Sequence, residues 1–243
     1  MSFTKIKKIK KGFVLQKNIL ITGCSSGLGL ALTNYYLQKG FKVFGISRKN
    51  PNIENKDFIH ICFDLSQVEK IKENLNPLLL QINSFETIFL NAGMLGKIKL
   101  LEELSIKELN EVYSLNVYAN KELLDICKNL EVKNIILISS GASKNGYKGW
   151  GSYSLSKAGV NMLTNLYSNE MLNTKILAVA PGVIKTPMTD YIRFELDANI
   201  FPSAKKLNTG TVQTPNETAV KLDNLITRVN EFESGSYVDI RQI

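Results

Sequence analysis

Asn18-Ile19-Leu20-Ile21-Thr22 runs directly into Gly23-Cys24-Ser25-Ser26-Gly27-Leu28-Gly29, and a helical apolar pattern then continues to about Lys39. A short apolar run that breaks into glycines and resumes at helical spacing reads as strand, tight turn, helix. A second apolar run, Lys42–Ile46, stops at Ser47-Arg48-Lys49-Asn50-Pro51, where polar residues and proline end a strand. One β-α-β unit is then complete. Further short runs at Phe58–Phe63, Thr87–Leu90, Asn134–Ile138 and Lys175–Val179 alternate with longer segments of helical spacing. This alternation predicts an α/β fold with a doubly wound parallel sheet covered by helices on both faces.

The 243 residues suit a single domain over 13–243, preceded by a basic arm over 1–12 that carries Lys5, Lys7, Lys8, Lys10 and Lys11. Much of the net charge of +8 lies in that arm. It lacks interleaved aromatics to stack on bases, so it reads as a solvated terminus and no nucleic-acid partner is expected. No apolar run approaches the ~20 residues of a membrane span, and no signal-peptide pattern opens the chain. Cys24, Cys62 and Cys127 are odd in number and accompanied by one histidine, which argues against a disulfide framework or a metal site. A reducing cytoplasm fits this usage. The least regular stretch, about Pro187–Pro215, holds three of the six prolines and is expected to form a mobile substrate lid beyond the strand ends. The alternative is a surface excursion without function.

Glycines between a first strand and a first helix let the chain approach a diphosphate, and the helix N-terminus supplies N–H groups and a positive dipole end. The segment Gly23, Ser25, Ser26, Gly27, Leu28, Gly29 is therefore the candidate dinucleotide turn of a Rossmann-type fold. After the second strand, where an acid commonly holds a ribose 2′-hydroxyl, the chain offers Ser47, Arg48 and Lys49. A basic residue there suits a 2′-phosphate, so NADP(H) is expected in preference to NAD(H). Asp64, followed by Leu65 after the third strand, either meets the adenine amino group or caps the next helix.

Gly151-Ser-Tyr153-Ser-Leu-Ser-Lys157 opens a long helical stretch, and residues four apart share a helix face. A tyrosine of ordinary pKa, about 10, is too weak an acid near neutrality, and a neighbouring ammonium is expected to lower it. Tyr153 is thus the candidate proton donor to a carbonyl oxygen, with Lys157 as its tuning charge. Ser140, ending the run Ile135–Ser140, is placed to hold that carbonyl, with Ser139 as its immediate competitor.

Thr22-Gly-x-x-x-Gly-x-Gly29, Asn91-Ala92-Gly93, Asn116, Ser140, Tyr153-x-x-x-Lys157 and Pro181-Gly182 together resemble the short-chain dehydrogenase/reductase family over nearly the whole chain. The resemblance implies that Ser140 positions the carbonyl, Tyr153 is the acid/base, and Lys157 binds the nicotinamide ribose. It further implies a water-mediated proton relay at Asn116, a cofactor lining at Asn91, Ala92, Gly93, Pro181 and Gly182, and contacts to the nicotinamide carboxamide from Val183, Ile184 and Thr186. Homodimers or homotetramers are implied as well. A narrower resemblance rests on Tyr147–Tyr153, Ala92–Gly96 and Ser234–Ile240 and points to the sepiapterin reductase and benzil reductase branch. It implies an NADPH-dependent reductase of a ketone or vicinal diketone. Other readings are a 3-ketoacyl-thioester or keto-sugar reductase, and a regulator that senses NADP(H) without turnover.

In that branch Asp239 matches an aspartate that anchors substrate; equally, it caps the last strand or forms a salt bridge. Trp150 either walls the substrate pocket or packs in the core. His60 is expected to be a packed or edge residue, not an acid/base. Cys24 is either an oxidisable thiol or a small packing residue. Apolar positions on Asn110–Leu130 and Tyr153–Asn173 serve either a self-association face or the core.

Overall fold

The computed structural model describes residues 17–243, so the basic arm lies outside the described residues. Seven parallel strands form one sheet in the order β3-β2-β1-β4-β5-β6-β7. They are β1 (Asn18–Thr22), β2 (Lys42–Ser47), β3 (Phe58–Cys62), β4 (Ser84–Leu90), β5 (Glu131–Ile138), β6 (Lys175–Ala180) and β7 (Tyr237–Asp239). The connecting helices are α1 (Gly27–Gln38), α2 (Ile71–Ile82), α3 (Ile106–Tyr113), α4 (Ala119–Cys127), α5 (Gly151–Glu170), α6 (Pro187–Phe194), α7 (Pro202–Thr209) and α8 (Pro215–Thr227). The predicted doubly wound sheet is therefore present.

Each central strand is apolar on both sides because helices cover both faces. Leu20, Phe44, Ile88, Ile135 and Leu137 pack with α2, α4 and α5 residues such as Leu75, Leu124 and Val160. Their neighbours Ile19, Ile21, Val43, Phe89 and Ile136 point the other way, onto Leu32, Tyr36 and Leu222 of α1 and α8. Each such side chain contributes about 1.5–3 kcal/mol on burial.

Two strands begin earlier than their apolar runs. β4 and β5 pair from Ser84↔Glu131 onward, and the polar members of this extension are held by charge: Glu86 meets Lys17 at 3.1 Å and Lys133 at 2.9 Å. An apolar count stops at such alternation. The Asn110–Leu130 stretch is likewise not one uniform helix, since a π-helical turn at Ser114–Tyr118 joins α3 to α4.

The stretch 187–215 is more regular than its composition predicts. Pro187, Pro202 and Pro215 each open a helix, α6, α7 and α8 respectively. Proline is tolerated at a first helical position because its missing N–H has no partner there anyway. Among the described residues no helix is long and apolar enough to cross a membrane, and no cluster of potential metal ligands forms.

Candidate active site

The strand order reverses between β1 and β4, and Thr22 ties their carboxyl ends together. Its Oγ1 accepts from the Asn91 and Ala92 backbone N–H groups at 2.9 Å each, and Asn91 Nδ2 donates to the Thr22 carbonyl at 2.9 Å. A crevice at such a switch point is where open α/β sheets take ligands. The turn Gly23–Gly29 borders it. At Gly29 a Cβ would lie 2.1 Å from the Gly23 carbonyl oxygen, so only glycine lets α1 start so close to β1.

Ser26 caps α1 in an extended conformation, but its side chain makes no capping bond, and no acid lies in the first turn. The first-turn N–H groups thus lack a side-chain acceptor, which fits an anionic diphosphate. Ser25 is half-buried and Ser26 exposed beside it. The side chains of Leu28, Leu65 and Ile184 go into the core, leaving only their backbones for a cofactor.

At the end of β2, Ser47 is buried while Arg48 is exposed. Asp64 closes its own turn, accepting from Ser66 N at 3.0 Å and Ser66 Oγ at 2.8 Å. Those bonds and the nearby Arg48 charge hold its carboxyl below the usual range despite partial burial. After β6, Gln213 bonds the Pro181–Thr186 loop on both sides of Ile184: its N–H donates to the Val183 carbonyl at 2.9 Å, and its carbonyl accepts from Lys185 N at 2.9 Å. Gly182 in that loop has φ +79°.

The other half of the crevice holds the candidate proton-transfer residues. Tyr153 and Lys157 lie one turn apart at the start of α5 and are both buried, with Lys157 Nζ 5.7 Å from the Tyr153 ring centroid. Lys157 Nζ donates to the Ile138 carbonyl at the end of β5, at 2.7 Å. A Cβ at Gly93 would sit 3.2 Å from Asn116 Oδ1 and 3.4 Å from Lys157 Nζ, so β4, α5 and the π turn converge on that glycine. Asn116 is fixed by Met94, accepting from its N–H at 2.8 Å and donating to its carbonyl at 2.9 Å, and it also donates to Ser156 Oγ at 2.9 Å.

The two adjacent serines are separated by their partners. Ser139 is buried and donates to Asn161 Oδ1 at 2.6 Å. Ser140 instead lies near enough to the phenol of Tyr153 to draw its pKa down. That influence is outweighed: burial leaves the Tyr153 pKa above its ordinary value, and burial alone lowers Lys157 to about 8. The expected lowering of the phenol by Lys157 is thus not the net result here. Both side chains are shut off from water, which disfavours the charged form of each.

Trp150 packs in the core and also stands beside Tyr153. It is 8% exposed and packs with Leu95, Ile98 and Ile192, yet it also stands edge-on to Tyr153 at 5.9 Å and to Tyr147 at 5.5 Å. Its Nε1–H donates to Ser203 Oγ of α7 at 2.8 Å, joining the 187–215 segment to the residue that precedes α5. Asp239 accepts from Arg241 through its backbone N at 3.0 Å and its Nε at 2.9 Å, and its pKa is lowered chiefly by that guanidinium. A substrate contact from Asp239 therefore requires this pair to share or open. Arg241 itself reaches beside Gly141 and Gly182, between the Ser140 turn and the Pro181 loop.

Arg241, Gln213 and Asn161 were not singled out from sequence. Asn161 had a usable signal, since it lies four residues after Lys157 on the same helix face. Arg241 and Gln213 reach the site only through the fold.

The family model described as short chain dehydrogenase matches residues 17–197. The chain is 33% identical over 239 residues to a benzil reductase ((S)-benzoin forming) of Bacillus subtilis, covering 92% of this chain and 98% of that protein. Among solved structures it resembles a short chain dehydrogenase family protein of Francisella tularensis subsp. tularensis SCHU S4, with TM-score 0.80, 24% identity and coverage of 93% and 97%. It also resembles ElxO with NADP bound, with TM-score 0.76, 23% identity and coverage of 93% and 97%. The motif order, the sheet topology and these matches agree: the chain belongs to the short chain dehydrogenase family and is an NAD(P)-dependent oxidoreductase.

Proposed function

We propose that this enzyme reduces a ketone or vicinal diketone of a small molecule with NADPH, Tyr153 giving the proton. The observation that carries the reading is the meeting of Ser140, Tyr153 and Lys157 in one buried site, edge-on to the Trp150 ring. NADPH, when bound, supplies a hydride to the carbonyl carbon. The protein's part is to hold the carbonyl and supply the balancing proton.

Ser140 Oγ–H donates to the carbonyl oxygen and fixes it beside the phenol. Tyr153 donates its proton to that oxygen as negative charge develops there, a contribution typically worth ~10²–10⁴ in rate. A phenol held neutral by burial is in the right form to donate. Lys157, a cation below its pKa of about 8, stabilises the phenolate that remains. Asn116, clamped to Met94, holds the π turn beside Lys157, where a water-borne proton can re-enter.

The cofactor would lie along Gly23–Gly29, Asn91–Gly93 and Pro181–Thr186, with Arg48 toward the 2′-phosphate. The uncapped start of α1 and the absence of an acid at Ser47-Arg48-Lys49 support this. The benzil reductase relative and the aromatic pair Tyr147–Trp150 support a flat, aromatic-tolerant carbonyl substrate. A homodimer or homotetramer in the cytoplasm is part of the same proposal.

The test is turnover with NADPH and with NADH against benzil, sepiapterin, simple aldehydes, 3-ketoacyl thioesters and keto sugars. Reduction of a diketone or ketone, faster with NADPH, is expected, and Tyr153→Phe should lower kcat by about 10²-fold or more. Fast thioester or keto-sugar turnover with no diketone reduction would move the substrate class. Wild-type rates in Tyr153→Phe would remove Tyr153 as donor.

A further inference from the structure

We propose that His60 is a positioning residue for recognition of the cofactor's 2′-phosphate, an inference that rests on the NADPH reading above. His60 stands on β3, and its ring faces the end of β2. Nε2 lies 3.0 Å from Ser47 Oγ and 3.2 Å from the Ser47 carbonyl oxygen.

The donor directions follow from counting protons. Ser47 has one hydroxyl proton, and it goes to the Lys49 carbonyl at 2.7 Å, since a carbonyl can only accept. Ser47 Oγ is therefore an acceptor toward His60, as the Ser47 carbonyl must be. Nε2 accordingly carries a hydrogen and donates to both. The thiol of Cys24, 3.1 Å from Ser47 Oγ, fills the remaining lone pair as a donor, and burial pushes its pKa up and keeps it protonated.

Two residues later on β3, and so on the same strand face, Cys62 Sγ donates to the Arg48 carbonyl at 3.4 Å. The three-residue turn Ser47-Arg48-Lys49 is thus held at each of its residues, twice from β3. Phe58 stacks near the His60 ring, with centroids 6.3 Å apart and planes at 27°. Arg48 itself is exposed, its backbone fixed by these bonds and its guanidinium, near the Asp64 carboxylate, open to solvent where an anion can reach it. His60 acts on the phosphate through the shape of this turn, not by touching the reacting atoms.

The experiment titrates 2′,5′-ADP and 5′-AMP calorimetrically into the wild type, His60→Ala and His60→Gln, and measures KM and kcat for NADPH. The wild type should bind 2′,5′-ADP more tightly than 5′-AMP. His60→Ala should lose about threefold to tenfold for 2′,5′-ADP, the worth of a hydrogen bond or two, with 5′-AMP affinity unchanged. KM for NADPH should rise in step while kcat stays. His60→Gln, whose amide N–H can replace the Nε2 donor, should recover most of the loss. Retained 5′-AMP binding also shows that the variant is folded.

Equal losses for both ligands, no loss for either, or a His60→Gln variant as weak as His60→Ala would overturn the inference alone. A wild type that does not distinguish the two ligands refutes the NADPH assignment, and this inference with it.

Discussion

Lys157 carries the charge on which the proposed proton transfer depends, and its burial sets the pH at which that charge disappears. Desolvation lowers its pKa from the ordinary lysine value to about 8, so the ammonium is complete below that pH and lost above it. Tyr153, raised by the same burial, remains a neutral acid across this range. The kcat/KM for NADPH in the reducing direction, which reports the free enzyme, is therefore expected to fall as pH rises through about 8. Lys157→Met should be slow throughout and lack that descending limb. A wild-type profile flat to pH 10 would show that Lys157 is not the titrating group. At this scale residue identities are legible in the sequence, because Tyr153 and Lys157 are one helical turn apart. It did not give the balance of their pKa values, since desolvation depends on what the rest of the chain places over them.

At the scale of elements, the join between α5 and α7 is the feature with a consequence for substrate. Trp150 precedes α5, and Ser203 in the first turn of α7 accepts its indole hydrogen at 2.8 Å. Ile192, Leu196, Phe201 and Leu207 pack against the same aromatic cluster. Ser203→Ala removes one bond to a ring that stands beside Tyr153. It is expected to raise substrate KM about twofold to tenfold and leave KM for NADPH unchanged. Because Trp150 is the chain's one tryptophan, its emission reports the change directly, and a red shift should accompany the variant. Unaltered emission and KM would mean that α7 does not shape the pocket. The helices here were hidden in the sequence by their prolines, which read as breakers but stand at first helical positions.

For the whole molecule, α5 presents an outward stripe. Leu155, Met162 and Leu166, spaced seven and four apart, lie on one helix face and are 47%, 59% and 51% exposed. The expectation that apolar positions on this helix serve either the core or self-association thus divides by residue: Val160 and Tyr167 are core, and these three are not. A second copy of this chain is the proposed occupant. Met162→Glu with Leu166→Glu is expected to convert a wild-type oligomer to monomer in light scattering after size exclusion, with the fold retained by circular dichroism. A wild type that is already monomeric would refute the stripe as an interface.

The sequence by itself determined the β-α-β alternation, the glycine turn, the order of the motifs and the pairing of Tyr153 with Lys157. These are local matters of periodicity, backbone freedom and helical spacing, and neighbours in the chain suffice to specify them. The tertiary structure decided which of Ser139 and Ser140 lies by Tyr153, that Arg241 reaches the Pro181 loop, and that His60 turns toward Ser47. Each of those rests on a contact between segments far apart in the chain: Ser139 with Asn161, Arg241 beside Gly182, and β3 paired to β2. No spacing rule encodes such contacts, because packing of the whole sheet and its helices must first bring the partners within hydrogen-bonding distance.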